Sequence, residues 1–121
     1  MCRNYDVIPK FLKRIFTMPQ SVPVKEAAER HLNGAALVDV REPDEFEAVS
    51  APGAVNIPLS RIQKSGKKAF VKAGVDPDMD GLLVICRSGG RSAMACQMLG
   101  AHAINVDGGM LAWVTAGLPT L

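Results

Sequence analysis

The stretch Leu82-Leu-Val-Ile-Cys-Arg-Ser-Gly-Gly-Arg-Ser92 decides the fold of this chain. Its first five residues, 82–86, form a short apolar run of the kind that a buried strand shows. Two glycines follow, and residues 91–99 are then predicted as a helix that ends at Gly100. The stretch therefore predicts a strand, a glycine-containing loop and a helix in direct succession.

The same alternation of strands and helices extends along most of the chain. Further strands are predicted at 35–40, 53–58 and 103–106, and further helices at 24–32, 43–49, 64–72 and 110–116. Alternating strands and helices indicate an α/β domain with three layers: a central parallel sheet of four to five strands with helices on both faces. Ligands bind such sheets beyond the carboxyl ends of the strands, which is where Cys86 is predicted to lie.

Residues 1–20 are predicted to form an extension and linker ahead of a domain over 21–121. Within the extension, apolar residues at helical spacing over 8–16 predict a short amphipathic helix with a basic opposite side. These apolar residues are Ile8, Phe11, Leu12, Ile15 and Phe16. Residues 18–23 are predicted as a linker, because their prolines cannot continue a helix. Packing of the helix on its own domain is the default, ahead of a partner or dimer contact and of a membrane surface.

Composition and charge exclude several classes of protein. The chain has 121 residues, of which 48% are apolar and 21% charged, as in one ordinary globular domain. Its net charge of +2 is too small to argue for nucleic-acid binding. No apolar run approaches the ~18 residues of a membrane span, so no integral membrane association is expected. Residues 1–18 lack the features of a secretory signal, which predicts a cytoplasmic protein.

The three cysteines, Cys2, Cys86 and Cys96, form an odd set without a Cys-x-x-Cys pair. A disulfide framework or a structural zinc site is therefore unsupported, and a reactive thiol is the better interpretation. Cys96 is predicted to be a small core residue of its helix in preference to a second reactive thiol. Cys2 is assigned no role. Cys86 remains as the candidate nucleophile.

The loop after Cys86 has the composition of an anion-binding site. Gly89 and Gly90 let the backbone curl so that successive N–H groups point inward, and the following helix adds its own unpaired N–H groups. Arg87 and Arg91 add two permanent charges, and no Asp or Glu occurs between positions 80 and 107. Such surroundings lower the pKa of a thiol and so predict an activated Cys86 without a partner base.

Three stretches, in this order, resemble the rhodaneses, a family of thiosulfate and related sulfurtransferases. The loop over 86–92 resembles the active-site loop of the family. The two flanking signatures are Val38-Asp-Val-Arg-Glu-Pro-Asp-Glu-Phe46 with Pro52-Gly-Ala-Val-Asn-Ile-Pro58, and Asp107-Gly-Gly-Met-Leu-Ala-Trp-Val-Thr-Ala-Gly-Leu-Pro119. The resemblance covers residues 21–119 and departs at Val49-Ser-Ala51, where family members often have Gly-His-Ile.

The resemblance implies that Cys86 is the catalytic nucleophile and carries sulfur as a persulfide. In the family, the thiolate attacks the outer sulfur of a donor such as thiosulfate, and a thiol or cyanide then removes that sulfur. Carried over, the substrate-binding residues are Arg87, Ser88, Gly89, Gly90 and Arg91. The two arginines attract the anionic donor, and the backbone N–H groups hold the persulfide. The family needs no metal and no organic cofactor.

Other residues of the matching stretches are interpreted as structural. Asp39 and Arg41 resemble a family pair that ties the first loop to the sheet, because persulfide transfer needs no carboxylate base. Trp113 is most simply a core residue of the last helix.

Three functions from different classes remain open. The first is a sulfurtransferase that moves sulfur from thiosulfate or a persulfide donor to a thiol or cyanide. The second is a non-enzymatic sulfur carrier or interaction module, with a thioredoxin-like or sulfur-carrier protein as partner. The third and least favoured is a cysteine-based phosphatase or arsenate reductase. In those phosphatases five residues separate the cysteine from the arginine, whereas four separate Cys86 from Arg91.

Overall fold

The computed structural model describes residues 20–121, and the amphipathic helix predicted over 8–16 lies outside the described residues. The strands are β1 (Gln20–Pro23), β2 (Leu37–Asp39), β3 (Val55–Asn56), β4 (Leu82–Ile85) and β5 (Ala103–Asp107). The helices are α1 (Val24–Leu32), α2 (Pro43–Ala48), α3 (Leu59–Ser65), α4 (Lys68–Lys72), α5 (Gly90–Leu99) and α6 (Gly109–Thr115).

The five strands form one parallel sheet in the order β1-β5-β4-β2-β3. β4 lies at the centre, where Val84 is in register with Asn105 of β5 and with Val38 of β2. The predicted α/β architecture, with a parallel central sheet and helices on both of its faces, is confirmed. Because the strands are parallel, their carboxyl ends meet at one edge, and that edge is where a ligand site is expected.

β4 is buried on both faces of the sheet, and its side chains alternate between two apolar clusters. Leu82 and Val84 share one cluster with Cys86 and with side chains of α3, α4 and α5. Leu83 and Ile85 point to the opposite face, where α1 and α6 cover them. This is why the strand reads as a continuous apolar run and not as an alternating one. The same alternation places Cys86 on the face that α5 covers.

The single helix predicted over 64–72 is wrong, because two helices occupy this region. α3 starts earlier than predicted, at Leu59, whose N–H donates to the carbonyl of Val40 at 3.0 Å. It ends at Gly66, where φ is 59° and ψ is −138°. Such a positive φ is accessible to glycine and interrupts the helix before α4 begins.

The linker predicted over 18–23 is wrong for residues 20–23, which form β1. This strand pairs with β5 along its whole length, from Gln20 opposite Ile104 to Pro23 opposite Asp107. β1 lies at the edge of the sheet, and Pro23 is its last residue, a position where a missing N–H is tolerated. A four-residue edge strand that contains proline has too weak a pattern to be recognised in the sequence. The strands predicted at 35–40 and 53–58 are present but shorter.

A buried ion pair fixes the segment that leaves β2. Asp39 and Arg41 are 0% and 4% exposed, and the guanidinium contacts both carboxylate oxygens. Arg41 also donates from Nη2 to the carbonyl of Val49 at 2.6 Å, and Asn56 donates to the carbonyls of Asp39 and Arg41. Each buried charge is therefore paired and hydrogen-bonded, as burial requires. The predicted structural role of this pair is confirmed.

The two residues predicted to lie in the core do so. Trp113 and Cys96 are 2% and 0% exposed. The indole Nε1 of Trp113 donates to the carbonyl of Pro119 at 2.8 Å, so the one polar atom of the ring is satisfied. Trp113 thereby joins the segment after α6 to the core.

α6 begins directly against the backbone that follows β4. The N–H groups of Met110 and Leu111 donate to the carbonyls of Cys86 and Arg87 at 2.8 and 3.0 Å. Gly109, the first residue of α6, has a φ of 58°, and a Cβ added there would lie 2.5 Å from the carbonyl oxygens of both Cys86 and Arg87. Only glycine permits this close approach, and the approach fixes the start of the loop after Cys86.

We expect Gly109→Ala to lower the free energy of unfolding by more than Gly117→Ala does. Both glycines have a positive φ, but a Cβ at Gly117 meets no atom within 4 Å, so this control carries the backbone strain alone. The clash at Gly109 should add about 1–3 kcal/mol, the usual cost of overpacking. Urea unfolding of both variants measures the difference, and equal losses would contradict the close approach.

Candidate active site

Cys86 follows β4 directly and lies at the carboxyl edge of the sheet, with only 1% of its surface exposed. After it the backbone passes through an exposed segment to Gly89, which has a φ of 115° and a ψ of −13°. This left-handed conformation favours glycine and turns the chain into the first residue of α5. The loop therefore starts at Cys86 and covers the sulfur of that residue.

Hydrogen-bond donors from the loop and from α5 converge on the sulfur of Cys86. The N–H of Gly89 donates to Sγ at 3.1 Å, and the hydroxyl oxygen of Ser92 lies 3.2 Å from Sγ. The backbone N–H groups of Ser88 and Ser92 also act on this sulfur. The carbonyls of residues 86 and 87 accept from α6 on the other side, so the N–H groups are left to face inward.

These donors lower the pKa of the Cys86 thiol. Burial has the largest single effect and raises the pKa, because a buried thiolate loses its hydration. The hydrogen bonds from the Ser92 side chain and from the N–H groups of Ser92, Gly89 and Ser88 together outweigh burial, and the pKa lies below its ordinary value. Cys96 has the opposite shift, because desolvation and, after it, the charge of Cys86 raise its pKa to about 12. Cys86 is the cysteine of this pair suited to be a nucleophile.

Arg91 is held in an ion pair that the sequence did not predict. Its Nη1 and Nη2 donate to Oε1 and Oε2 of Glu45 in α2 at 2.7 and 3.0 Å. The hydrogen bond from Arg91 lowers the pKa of Glu45 to about 2, and in return the pKa of Arg91 is raised. The absence of acidic residues near the loop in sequence was therefore misleading, because the fold brings a carboxylate from another element.

Glu45 is itself fixed in place by the start of α2. Its Oε1 accepts the N–H of Glu42 at 3.1 Å, as part of a reciprocal capping box. The carboxylate is thus positioned before it meets the guanidinium, and the two groups form a bidentate pair. Arg91 is consequently directed along the edge of the site towards α2.

Arg87 has a different environment from Arg91. Its side chain is exposed, and within residues 20–121 no carboxylate lies within 4.0 Å of it. It lines a groove of about 350 Å³ together with Glu45 and with Leu111 and Val114, two exposed apolar side chains of α6. Arg87 is therefore a cation that an anion entering this groove could reach.

Sequence reasoning missed three residues of the site: Glu45, Ser92 and Asn105. Ser92 is fully buried, and its hydroxyl contacts Asn105 of β5 as well as Cys86. Ser92 belongs to the stretch 86–92, and its position one helical turn after Gly89 could have indicated that its hydroxyl faces the cysteine. Glu45 and Asn105 belong to elements distant in sequence, and no local pattern connects them with Cys86.

Both histidines of the chain lie away from the sulfur. His31 contacts the carbonyls of Ala35 and Pro52, and His102 contacts the carbonyl of Pro77. Within residues 20–121 no cluster of three or more His, Cys, Asp or Glu side chains could hold a metal ion. Over the same residues no helix is long and apolar enough to cross a bilayer.

Comparison with known proteins agrees with this geometry. The family profile described as "Rhodanese-like domain" matches residues 24–116. Thiosulfate sulfurtransferase 16, chloroplastic, of Arabidopsis thaliana is 35% identical, over 85% of this chain and 93% of the plant protein. An uncharacterised protein of Synechocystis is 37% identical over 98% of this chain, which spans only 56% of that protein's length.

Among solved structures, a rhodanese-related protein from Thermoplasma volcanium superposes with a TM-score of 0.69. It is 28% identical, and the match covers 84% of this chain and 97% of the archaeal one. The residues that match the family profile include the whole of the loop that closes over Cys86. From the buried cysteine at the end of the central strand, the parallel sheet and these matches, we conclude that the chain belongs to the rhodanese-like domain family.

Proposed function

We propose that this chain is a sulfurtransferase that carries sulfane sulfur as a persulfide on Cys86. The observation that carries the proposal is the convergence of Gly89 N–H and Ser92 O–H on a sulfur that is only 1% exposed. Hydrogen bonds that lower the pKa of a buried thiol favour a reactive thiolate over a merely structural cysteine. The family contains sulfurtransferases and sulfur carriers, and such a sulfur is compatible with both functions.

The proposed reaction has two steps. The Cys86 thiolate attacks the outer sulfur of thiosulfate, forming a new S–S bond while the S–S bond of thiosulfate breaks and sulfite leaves with the electron pair. The negative charge then resides on the outer sulfur of the persulfide. An acceptor thiolate or cyanide attacks that outer sulfur and restores the Cys86 thiolate. No oxidant or reductant is consumed, because the sulfur moves between nucleophiles.

The loop supplies the electrostatic support for the transferred sulfur. The Gly89 N–H donates to Sγ, and we propose that the backbone N–H groups from residue 87 to residue 91 receive the anionic outer sulfur. Arg87 lies exposed in the adjoining groove and would attract a dianionic donor. Arg91 contributes less than the sequence suggests, because Glu45 neutralises it.

The donor is proposed to be thiosulfate or a persulfide, and the acceptor a thiol or cyanide. The plant relative is described as a thiosulfate sulfurtransferase, which favours thiosulfate. The groove beside Arg87 exposes Leu111 and Val114, so a protein thiol, such as that of a thioredoxin-like or sulfur-carrier protein, is a suitable acceptor. We propose a cytoplasmic location, because a persulfide carrier needs a compartment that keeps thiols reduced.

A phosphatase is disfavoured by the same contacts. Cysteine-based phosphatases need an arginine that faces the phosphate, whereas Arg91 is engaged by both oxygens of Glu45. The loop is also one residue shorter between cysteine and arginine than in those enzymes. A smaller group with one anionic atom, such as a persulfide sulfur, suits this loop better.

We expect incubation with thiosulfate to add one sulfur atom to the protein and to release sulfite. Intact-mass measurement detects the addition, and peptide mapping should locate it at Cys86. The matched control is Cys96→Ser, which removes a cysteine whose pKa is raised to about 12 and should load normally. Cys86→Ser should neither load nor turn over thiosulfate with cyanide. Loading of Cys86→Ser to the level of the parent protein would rule the proposal out.

A carrier without activity on small donors would give a different result in the same measurement. It would accept sulfur from a persulfidated protein but would not load from thiosulfate. Sulfite release at a measurable rate therefore separates the enzyme from the carrier.

The two arginines should contribute unequally to thiosulfate binding. We expect Arg87→Ala to lower kcat/KM about ten- to a hundredfold, the usual effect of losing a charge-assisted contact. Arg91→Ala should lower kcat/KM by a smaller factor, because the charge of Arg91 is already balanced by Glu45. Steady-state kinetics at several thiosulfate concentrations test this order, and a larger loss in Arg91→Ala would reverse our assignment.

Glu45→Gln should free the Arg91 charge and lower KM for thiosulfate. The depressed pKa of Glu45, about 2, means that the ion pair is fully formed above its ordinary pKa of 4.5 and is lost as the pH falls towards 2. The difference in KM between Glu45→Gln and the parent protein should therefore be constant across the neutral range. An unchanged KM throughout would mean that Arg91 does not act on the donor at all.

A further inference from the structure

The hydroxyl group of Ser92 has more acceptors around it than it has protons. Its oxygen lies 3.2 Å from Sγ of Cys86, 3.2 Å from the carbonyl oxygen of Gly89 and 2.5 Å from Oδ1 of Asn105. A serine hydroxyl donates one hydrogen bond only. At any moment the Ser92 hydroxyl therefore donates to one of three acceptors. The sulfur is stabilised by this hydroxyl only when Sγ is that acceptor.

The orientation of the Asn105 amide is set by the loop itself. Its Nδ2 donates to the carbonyl oxygen of Gly89 at 3.3 Å. Turning the amide over would place Oδ1 against that carbonyl and bring two acceptors together, which is unfavourable. With Nδ2 held by Gly89, the oxygen of the amide faces Ser92. Asn105 is thus an acceptor for the Ser92 proton, in direct competition with the sulfur.

We propose that Asn105 is a positioning residue that holds the Ser92 proton whenever Cys86 is not a thiolate. When the sulfur is an anion, it is the strongest acceptor in reach, and the hydroxyl turns to it. When the sulfur is a neutral thiol, it is a weak acceptor, and the hydroxyl turns to Asn105. Among residues 20–121 Asn105 has no hydrogen bond to Cys86, and the proposed effect on the sulfur passes through Ser92.

The same exchange follows the proposed persulfide chemistry, on which this inference rests. In the thiolate the negative charge is on Sγ, whereas in the persulfide it is on the outer sulfur and Sγ is neutral. The Ser92 proton would otherwise be left without a good acceptor in a buried site, because the Gly89 carbonyl is already shared with Asn105. Asn105 therefore stabilises the persulfide relative to the thiolate, and the transferred sulfur is retained longer.

The charged groups around Cys86 do not depend on this amide. Arg91 and Cys96 both interact with the charge of Cys86, and neither has a hydrogen bond to Asn105 among residues 20–121. Arg91 is held by Glu45, and Cys96 lies on the buried side of α5, in the core. A change at Asn105 that reaches the sulfur must therefore pass through Ser92 or through the shape of the loop.

The test is a double-mutant cycle with Asn105→Leu and Ser92→Ala. The leucine keeps the branching of the side chain and removes both polar atoms. The first readout is the pH profile of Cys86 alkylation by iodoacetamide, which reports the pKa of the thiol without any sulfur donor. We expect Asn105→Leu to lower this pKa, because the neutral thiol loses the Ser92–Asn105 hydrogen bond and the thiolate does not. In the Ser92→Ala background the same change should have no effect.

The second readout is the ratio of persulfide to thiolate at a fixed ratio of thiosulfate to sulfite. Asn105→Leu should lower it about two- to twelvefold, the value of one hydrogen bond, and again only when Ser92 is present. A merely structural role would loosen the loop, raise the pKa of Cys86 and act equally in both backgrounds. Either a raised pKa or an equal effect with and without Ser92 would overturn the assignment.

A second variant keeps the inference testable if Asn105→Leu does not fold, as judged by its circular dichroism and unfolding curve. Asn105→Asp retains an oxygen opposite Ser92 and makes it a stronger acceptor. We expect it to raise the pKa of Cys86 more in the presence of Ser92 than in Ser92→Ala, where only the repulsion between charges remains. Equal rises would refute the role of Asn105. Failure of the parent protein to form any persulfide would instead refute the proposed function, while the alkylation profile still decides the role of Asn105.

Discussion

The rest of the site depends on one constraint: an ionisable sulfur lies buried at the carboxyl end of the central strand. Burial alone would raise the pKa of such a thiol, as it does for Cys96. The protein counters this with donors that the loop and the start of α5 direct at Sγ. A loop that directs its N–H groups inward needs partners for its carbonyls elsewhere, because every peptide unit carries both a donor and an acceptor. The first N–H groups of α6 are those partners, since they donate to the carbonyls of Cys86 and Arg87.

The charges of the site are divided between a buried pair and a half-buried pair. Asp39 and Arg41 are almost inaccessible and hold the segment after β2 against the sheet. Glu45 and Arg91 lie nearer the surface and join α2 to the start of α5. Arg91 is paired, whereas Arg87 has no carboxylate within 4.0 Å among residues 20–121. The electrostatic potential beside the loop is therefore less positive than the loop sequence suggests.

The sequence by itself determined the elements whose signals are local. The apolar run 82–86, the glycines of the loop and the helix after them identified the central strand, and the three motifs were sufficient to identify the family. The core positions of Trp113 and Cys96 also followed from helical context. The edge strand β1 and the break at Gly66 were missed. An edge strand takes its structure from pairing with β5, and the φ of a glycine within a helical pattern depends on the packing around it.

The tertiary structure alone decided which side chains complete the site. Glu45 reaches Arg91 across the edge of the sheet, and Asn105 reaches Ser92 from the neighbouring strand, although each is far from Cys86 in sequence. Hydrogen bonds and ion pairs act over a few ångströms of space, whereas sequence patterns record only neighbours along the chain. The candidate nucleophile could thus be proposed from its own loop, but the groups that surround it could be found only where the fold brings the strands and helices together.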